Sequence, residues 1–250
     1  MIQVLNLGHV DYQTALALQA TLVDLRKRGV IHDTLLLLEH APVITLGRNA
    51  KQKNIVASAE VLAQKGVERV ECDRGGDVTF HGPGQLVGYP IFDLRALTPK
   101  IGVIEFVRRI EEVLIRSCGD LRVRCGRVQG LTGVWTMDEP QAKIAAIGVH
   151  ISRAVTSHGF ALNVTTDLDY FKLIVPCGIS DKPVTSLERE LGRSPSFEEV
   201  MPVVTRNFGF VYKEQVLWLE SLNDLLPPED LPARAPEELR RLHDEDTHRC

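Results

Sequence analysis

RGGDVTFHGPGQLVGYPIFDL, residues 74–94, places five glycines, a histidine and an arginine around and ahead of a strong apolar strand pattern. Glycine at that density lets main chain come close to itself or to a ligand. Glycines 82, 84 and 88 read G-x-G-x-x-x-G, one residue longer than the dinucleotide-binding fingerprint, with Pro83 inside and a strand instead of a helix after it. A dinucleotide-binding reading therefore fails. No G-x-x-x-x-G-K-S/T phosphate loop occurs in the 250 residues either. On residue type alone the segment is either ligand-lining backbone or a glycine-rich hairpin or bulge serving only geometry.

Outward from this stretch, short apolar runs (IQVLNL, TLLLLEH, VITLG, VERVEC, KIAAIGVHIS, GFALNV) read as strands and alternate with a few helical segments, an α/β or α+β pattern. The spacing predicts a helix over 12–28 with Ala15, Leu18, Leu22 and Leu25 on one face, stopped by Gly29. A second is expected over 103–118, burying Ile104, Val107 or Ile110, Val113 and Leu114 with Arg108, Arg109, Glu111 and Glu112 in water. A third opens at Ser196 with Glu199 in capping-box spacing and runs to about Asn207.

Composition is that of a soluble globular protein, with 44% hydrophobic and 25% charged residues. A net charge of -4 lacks the basic excess that nucleic-acid phosphates demand. From Lys213 to Cys250 there are five Lys/Arg against ten Asp/Glu and four prolines. The reading is a main domain over 1–212 and an acidic, partly mobile appendix over 213–250, in which Leu217, Trp218, Leu222, Leu225 and Leu226 could dock as a short helix. The five cysteines lack any CxxC spacing, and the start MIQVLNLGHV has no leader pattern, which points to a reducing, cytoplasmic setting. No window is long and apolar enough to span a bilayer.

One of these cysteines stands out. Cys177 lies between Pro176 and Gly178 in IVPCGISDK, at a turn after an apolar run. There it is either a thiol presented at a sheet edge, able to act as a nucleophile, or a small buried hydrophobe. A nucleophilic thiol needs a group that favours thiolate, and His81, His150, His158 and Lys143 are the candidates. Lys143 heads KIAAIGVHIS, where its charge projects into a cleft or into solvent. An ammonium about 4 Å from sulfur, at an effective dielectric near 20, would attract by about 4 kcal/mol, up to roughly three pKa units before desolvation opposes it.

RGGDVTFHGPGQLVGYPIFDL, KIAAIGVHISRAVTSHGFALNV and IVPCGISDKPVTSL, in this order, resemble the three signature blocks of the lipoyl(octanoyl) transferases. The resemblance implies an α/β fold, a mixed sheet with flanking helices shared with biotin and lipoate protein ligases. It implies octanoyl transfer from acyl carrier protein, through an enzyme cysteine, to a lysine of lipoyl domains. By the same resemblance Cys177 is the acyl-accepting nucleophile and Lys143 lowers its pKa and carries protons. Arg74, Gly75, Gly76, Asp77, Val78, Thr79, Phe80 and His81 line the acyl and thioester pocket. Ala146, Ile147 and Gly148, with Gly159, Phe160 and Ala161, supply its remaining wall. Asp77, Phe80 and His150 stand where the family often has Gln, Tyr and Arg or Lys.

The implied partners are octanoyl-acyl carrier protein and the apo lipoyl domains of 2-oxoacid dehydrogenase complexes and of the glycine-cleavage H protein, with no nucleic acid, membrane, metal or cofactor, and a monomeric enzyme. Acidic partners would be steered by basic residues around the mouth, with Arg48, Lys51, Lys53 and Arg153 the candidates. The rival readings are an ATP-dependent lipoate or biotin ligase, a cysteine thioesterase, a non-enzymatic acyl-binding module and a metal site of Cys177, His158 and Cys125, the last without supporting spacing.

Overall fold

The computed structural model describes residues 1–176 and 182–226. In chain order the elements are β1 (Ile2–His9), α1 (Tyr12–Lys27), β2 (Asp33–Glu39), β3 (Val43–Leu46), α2 (Ala59–Gln64), β4 (Glu68–Glu71), β5 (Val78–His81), β6 (Gln85–Ile91), α3 (Val103–Asp120), β7 (Cys125–Val128), β8 (Leu131–Thr136), β9 (Lys143–Ser152), β10 (Val155–Asn163), α4 (Leu187–Leu191), α5 (Phe197–Tyr212), β11 (Val216–Trp218) and α6 (Leu222–Leu225). A mixed eight-stranded sheet runs β11-β1-β2-β6-β10-β9-β8-β7, and a three-stranded sheet runs β4-β3-β5. The residue 74–94 stretch is thus a corner: β5 pairs with β3 in the small sheet, while β6 pairs with β2 and β10 in the large one. Among the described residues no helix is long and apolar enough to cross a membrane.

The large sheet is covered on both faces, which is why LLLL at 35–38 can be apolar throughout. Successive side chains of a strand point to opposite faces. Leu35 and Leu37 accordingly pack with α3 and α5, and Leu36 and Leu38 pack with α1. Helix α1 forms where its periodicity predicts, capped by the Asp11 side chain accepting from Thr14 N–H. Helix α5 starts at Ser196 as expected but continues to Tyr212, past Asn207, because Phe208 and Tyr212 prolong its buried face.

Helix α3 departs from expectation in its first turns. Ile104 is 75% exposed, and the buried row is Phe106, Ile110, Val113, Leu114, Ser117 and Cys118. Glu111, expected in water, lies in that row fully buried. Its carboxylate accepts from Gly133 N–H (3.1 Å), Arg108 (2.7 Å) and Arg127 (2.9 Å), so hydrogen bonds offset the cost of burying the charge. Glu111→Ala is expected to lower stability by about 2 kcal/mol in urea unfolding, since it orphans a buried N–H while both arginines keep access to water. A change within error would show that the pair contributes nothing.

The segment after Tyr212 does not begin as an appendix. Strand β11 pairs in parallel with β1, Ile2 opposite Val216, and Leu222, Leu225 and Leu226 are buried beside α1. Leu217 and Trp218 are on a strand, not a helix, and are 45% and 42% exposed. The acidic stretch 227–250 lies outside the described residues.

Candidate active site

The site forms where the small sheet and the loop before it lie across β9 and β10. Gly75 N–H donates to Val149 O at 3.0 Å, fastening the loop to β9. A Cβ on Gly148 would sit 2.7 Å from Gly75 O, so this crossing requires glycine. Beneath it lies a cavity lined by Arg74, Gly75, Gly76, Thr79 and His81 from one side and by Ala146, Ile147, Gly148, Gly159, Phe160 and Ala161 from the other. The two strands present these as cross-strand pairs: Ala161 with Ala146, Phe160 with Ile147, Gly159 with Gly148.

Three residues of the 74–81 run do not line this cavity. Val78 and Phe80 alternate with Thr79 and His81 on β5, so they point to the opposite face and pack with Ile44, Leu46 and Phe171. Asp77 is a loop fastener: it accepts from Lys51 N–H (2.9 Å) and Val78 N–H (2.8 Å) and from the Asn54 side chain. Arg74, 6% exposed, is held by the Thr45 hydroxyl and carbonyl and by Gly75 O. Sequence reasoning missed Tyr12 and Tyr89 in the cavity wall. It named His158 as a helper for the thiol and as a ligand in the rival metal site, not as cavity wall. Tyr12 was read as scaffold because it opens an amphipathic helix, and nothing local marks it otherwise.

The aromatic end of the cavity is a buried hydrogen-bonded group. His40 Nδ1 donates to Val10 O at 2.6 Å, which leaves Nε2 to accept from the Tyr89 hydroxyl at 2.7 Å. His81 donates through Nδ1 to Gln85 Oε1 at 2.8 Å. His158 is engaged with Asp73 at 2.7 Å, and His150 faces the same carboxylate at 3.4 Å. Burial pushes His40 down to about 4 and His81 down to about 3. Both are therefore neutral when folded, whereas the unfolded chain takes up their protons near pH 6.5. Stability is expected to fall as pH drops from about 6.5 towards 4, by up to roughly 1.4 kcal/mol per pH unit for each histidine. Urea midpoints at pH 7 and pH 5 check this, and equal stabilities would contradict it.

Lys143 stands at the start of β9, 7% exposed. Its backbone is pinned by Pro183 O and by Thr185 N–H, and its Nζ lies 4.9 Å from the centre of the Trp135 ring. A smaller cavity is lined by Lys143 together with Thr79, Ala146, Ala161, Asn163 and Pro176. Thr79, Ala146 and Ala161 also line the larger cavity, so the two spaces lie side by side at these residues. Pro176 is the residue before Cys177; Cys177 itself lies outside the described residues. On the solvent side a groove joins Lys143, Gly75, Gly76 and Gly148 to Lys51. Arg48, Lys51 and Lys53 are exposed near this groove, whereas Arg153 occupies the β9–β10 turn, five residues or roughly 16 Å beyond Gly148. Cys125 lies on β7, three strands from His158 on β10, and no cluster of three His, Cys, Asp or Glu among the described residues could hold a metal ion.

Mixed sheet, helices and twin cavities define a catalytic domain of the lipoyl protein ligase class, and residues 11–209 match the family described as lipoyl protein ligase A/B catalytic domain. Within it the chain belongs to the octanoyltransferases, a group of acyltransferase enzymes. It is 85% identical over 249 residues to an octanoyltransferase of Koribacter versatilis, with 99% of each chain covered. It is 51% identical over 203 residues to an octanoyltransferase of Mycobacterium tuberculosis, covering 81% of this chain and 84% of that one. In fold it resembles a lipoate-protein ligase A bound with ATP, at a TM-score of 0.70 and 15% identity, covering 97% of this chain and 94% of the other. A bipartite lipoate protein ligase from Thermoplasma acidophilum, studied with its E2 lipoyl domain, gives 0.68 at 16% identity, covering 98% and 93%.

Proposed function

We propose that the protein moves an octanoyl group from the phosphopantetheine thiol of acyl carrier protein to a lysine of apo lipoyl domains, with Cys177 carrying the acyl group between the two. The observation that supports this most directly is the small cavity lined by both Lys143 and Pro176, the residue before Cys177, which shares Thr79, Ala146 and Ala161 with the larger, mostly apolar cavity. The lipoyl domains would be those of 2-oxoacid dehydrogenase complexes and the glycine-cleavage H protein. The enzyme would act as a cytoplasmic monomer without a cofactor of its own.

In the first step the Cys177 thiolate attacks the thioester carbonyl, and the carrier's sulfur leaves and takes a proton from the Lys143 ammonium. In the second, the substrate lysine amine attacks the new thioester, neutral Lys143 takes its proton, and the Cys177 thiolate departs. Thioester exchange is nearly balanced, whereas amide formation is downhill and draws the cycle forward. Arg74, Gly75, Gly76 and Thr79 with Ala146 and Ala161 would enclose the chain.

Intact mass after incubation with octanoyl-acyl carrier protein and no acceptor tests this. Wild type should gain one hydroxylamine-labile octanoyl group that apo lipoyl domain discharges and that Cys177→Ala never acquires. Transfer without an adduct would rule out the covalent route. Transfer that requires ATP would favour a ligase, and octanoate released to water without acceptor would favour a thioesterase.

A further inference from the structure

We infer that the aromatic rings of Tyr12, His81, Tyr89 and His158 form the end wall that sets the length of acyl chain the site accepts. This rests on the proposed function and deepens it. The small cavity lined by Lys143 and Pro176 and the larger cavity share Thr79, Ala146 and Ala161 in their walls, and on the proposed function the acyl chain passes these residues and runs along β9 and β10. The far lining consists of Tyr12, Tyr89, His81 and His158.

This wall is stiff. Tyr12 stacks on His81 with ring centres 6.1 Å apart and meets His40 edge-on at 5.1 Å. His40 is clamped between Val10 O and the Tyr89 hydroxyl. His158 has a φ of +54° inside strand β10, a costly conformation for a non-glycine residue, and its ring is held there by Asp73 at 2.7 Å. A side chain strained into the wall and tied to a carboxylate does not swing aside for an extra methylene. Groups fixed by packing and hydrogen bonds make a sharp limit, whereas a wall of free rotamers would yield gradually.

Tyr12 is the position to change, because its ring packs against Val43 and Val70, so truncating it to alanine leaves an apolar-lined void into which a longer chain could extend. Binding of octanoate, decanoate and dodecanoate to the full chain, measured by titration calorimetry, reads the wall without requiring catalysis. Wild type should bind octanoate at least tenfold tighter than dodecanoate. Tyr12→Ala should shift that ratio at least tenfold towards dodecanoate, since each buried methylene then contributes instead of clashing. Tyr12→Phe keeps the ring and should keep the wild-type order. If Tyr12→Ala does not fold, Tyr12→Leu carries the same test at a smaller shift. An unchanged ratio in a folded variant overturns the inference. Loss of acyl transfer in wild type alongside the expected binding shift would refute the proposed function and leave the wall standing. Failure of wild type to bind any of the three acids would overturn both.

Discussion

Lys143→Ala is expected to slow acylation of Cys177 by about a thousandfold, within the range that positioned proton transfer contributes. The alkylation rate of Cys177 against pH should show an apparent pKa raised by roughly one to three units, because removing a neighbouring ammonium removes the attraction that favours thiolate. Lys143→Met keeps the stem and loses the charge, so it should match alanine in rate while unfolding closer to wild type. The lysine's placement makes this a large effect. Its backbone bonds to Pro183 and Thr185, a few residues after Cys177 in sequence, and its stem packs against Gly133 and over Trp135. Alkylation and acylation rates within twofold of wild type would remove Lys143 from the chemistry.

Gly159→Ala is expected to be strongly destabilising, at about 3 kcal/mol in urea unfolding. Its Cβ would fall 2.1 Å from Gly88 O and 2.6 Å from Pro90 Cδ, both belonging to the neighbouring central strand. Backbone there can yield only by spreading β6 from β10, with β2 and β9 bonded to their outer edges. Gly119→Ala in helix α3 is the contrast, since its Cβ meets nothing within 4 Å and helix propensity favours alanine by up to about 1 kcal/mol. Equal stability changes at the two sites would show that the close approach of β6 and β10 is not a constraint.

The residues alone marked 74–94 as a segment where backbone comes close to backbone or ligand, whereas Ala146, Gly148, Gly159 and Ala161 were implied only by the family resemblance; all four line the cavity. Val78 and Phe80 were placed with them because the resemblance treats residues 74–81 as one run. Strand pleating divides that run between two environments, and only the position of the small sheet selects Thr79 and His81 for the cavity. Glu111 misled for a related reason: a helical period identifies a carboxylate's angular position, while its burial depends on Gly133 and Arg127 arriving from other strands and loops.

The sequence by itself determined the element types, the strand-rich α/β character, the exclusion of a dinucleotide fold, and the glycine-rich segment 74–94 as a place of close backbone approach. These follow from periodicity and backbone freedom, which act over a few residues. Tertiary structure alone decided that Tyr12, Tyr89 and His158 line one cavity, that Lys143 shares a space with Pro176, and that β11 extends the sheet beside β1. Those meetings join residues remote in the chain. Their free energy comes from burying faces whose partners are chosen by sheet order, and no local pattern encodes that choice.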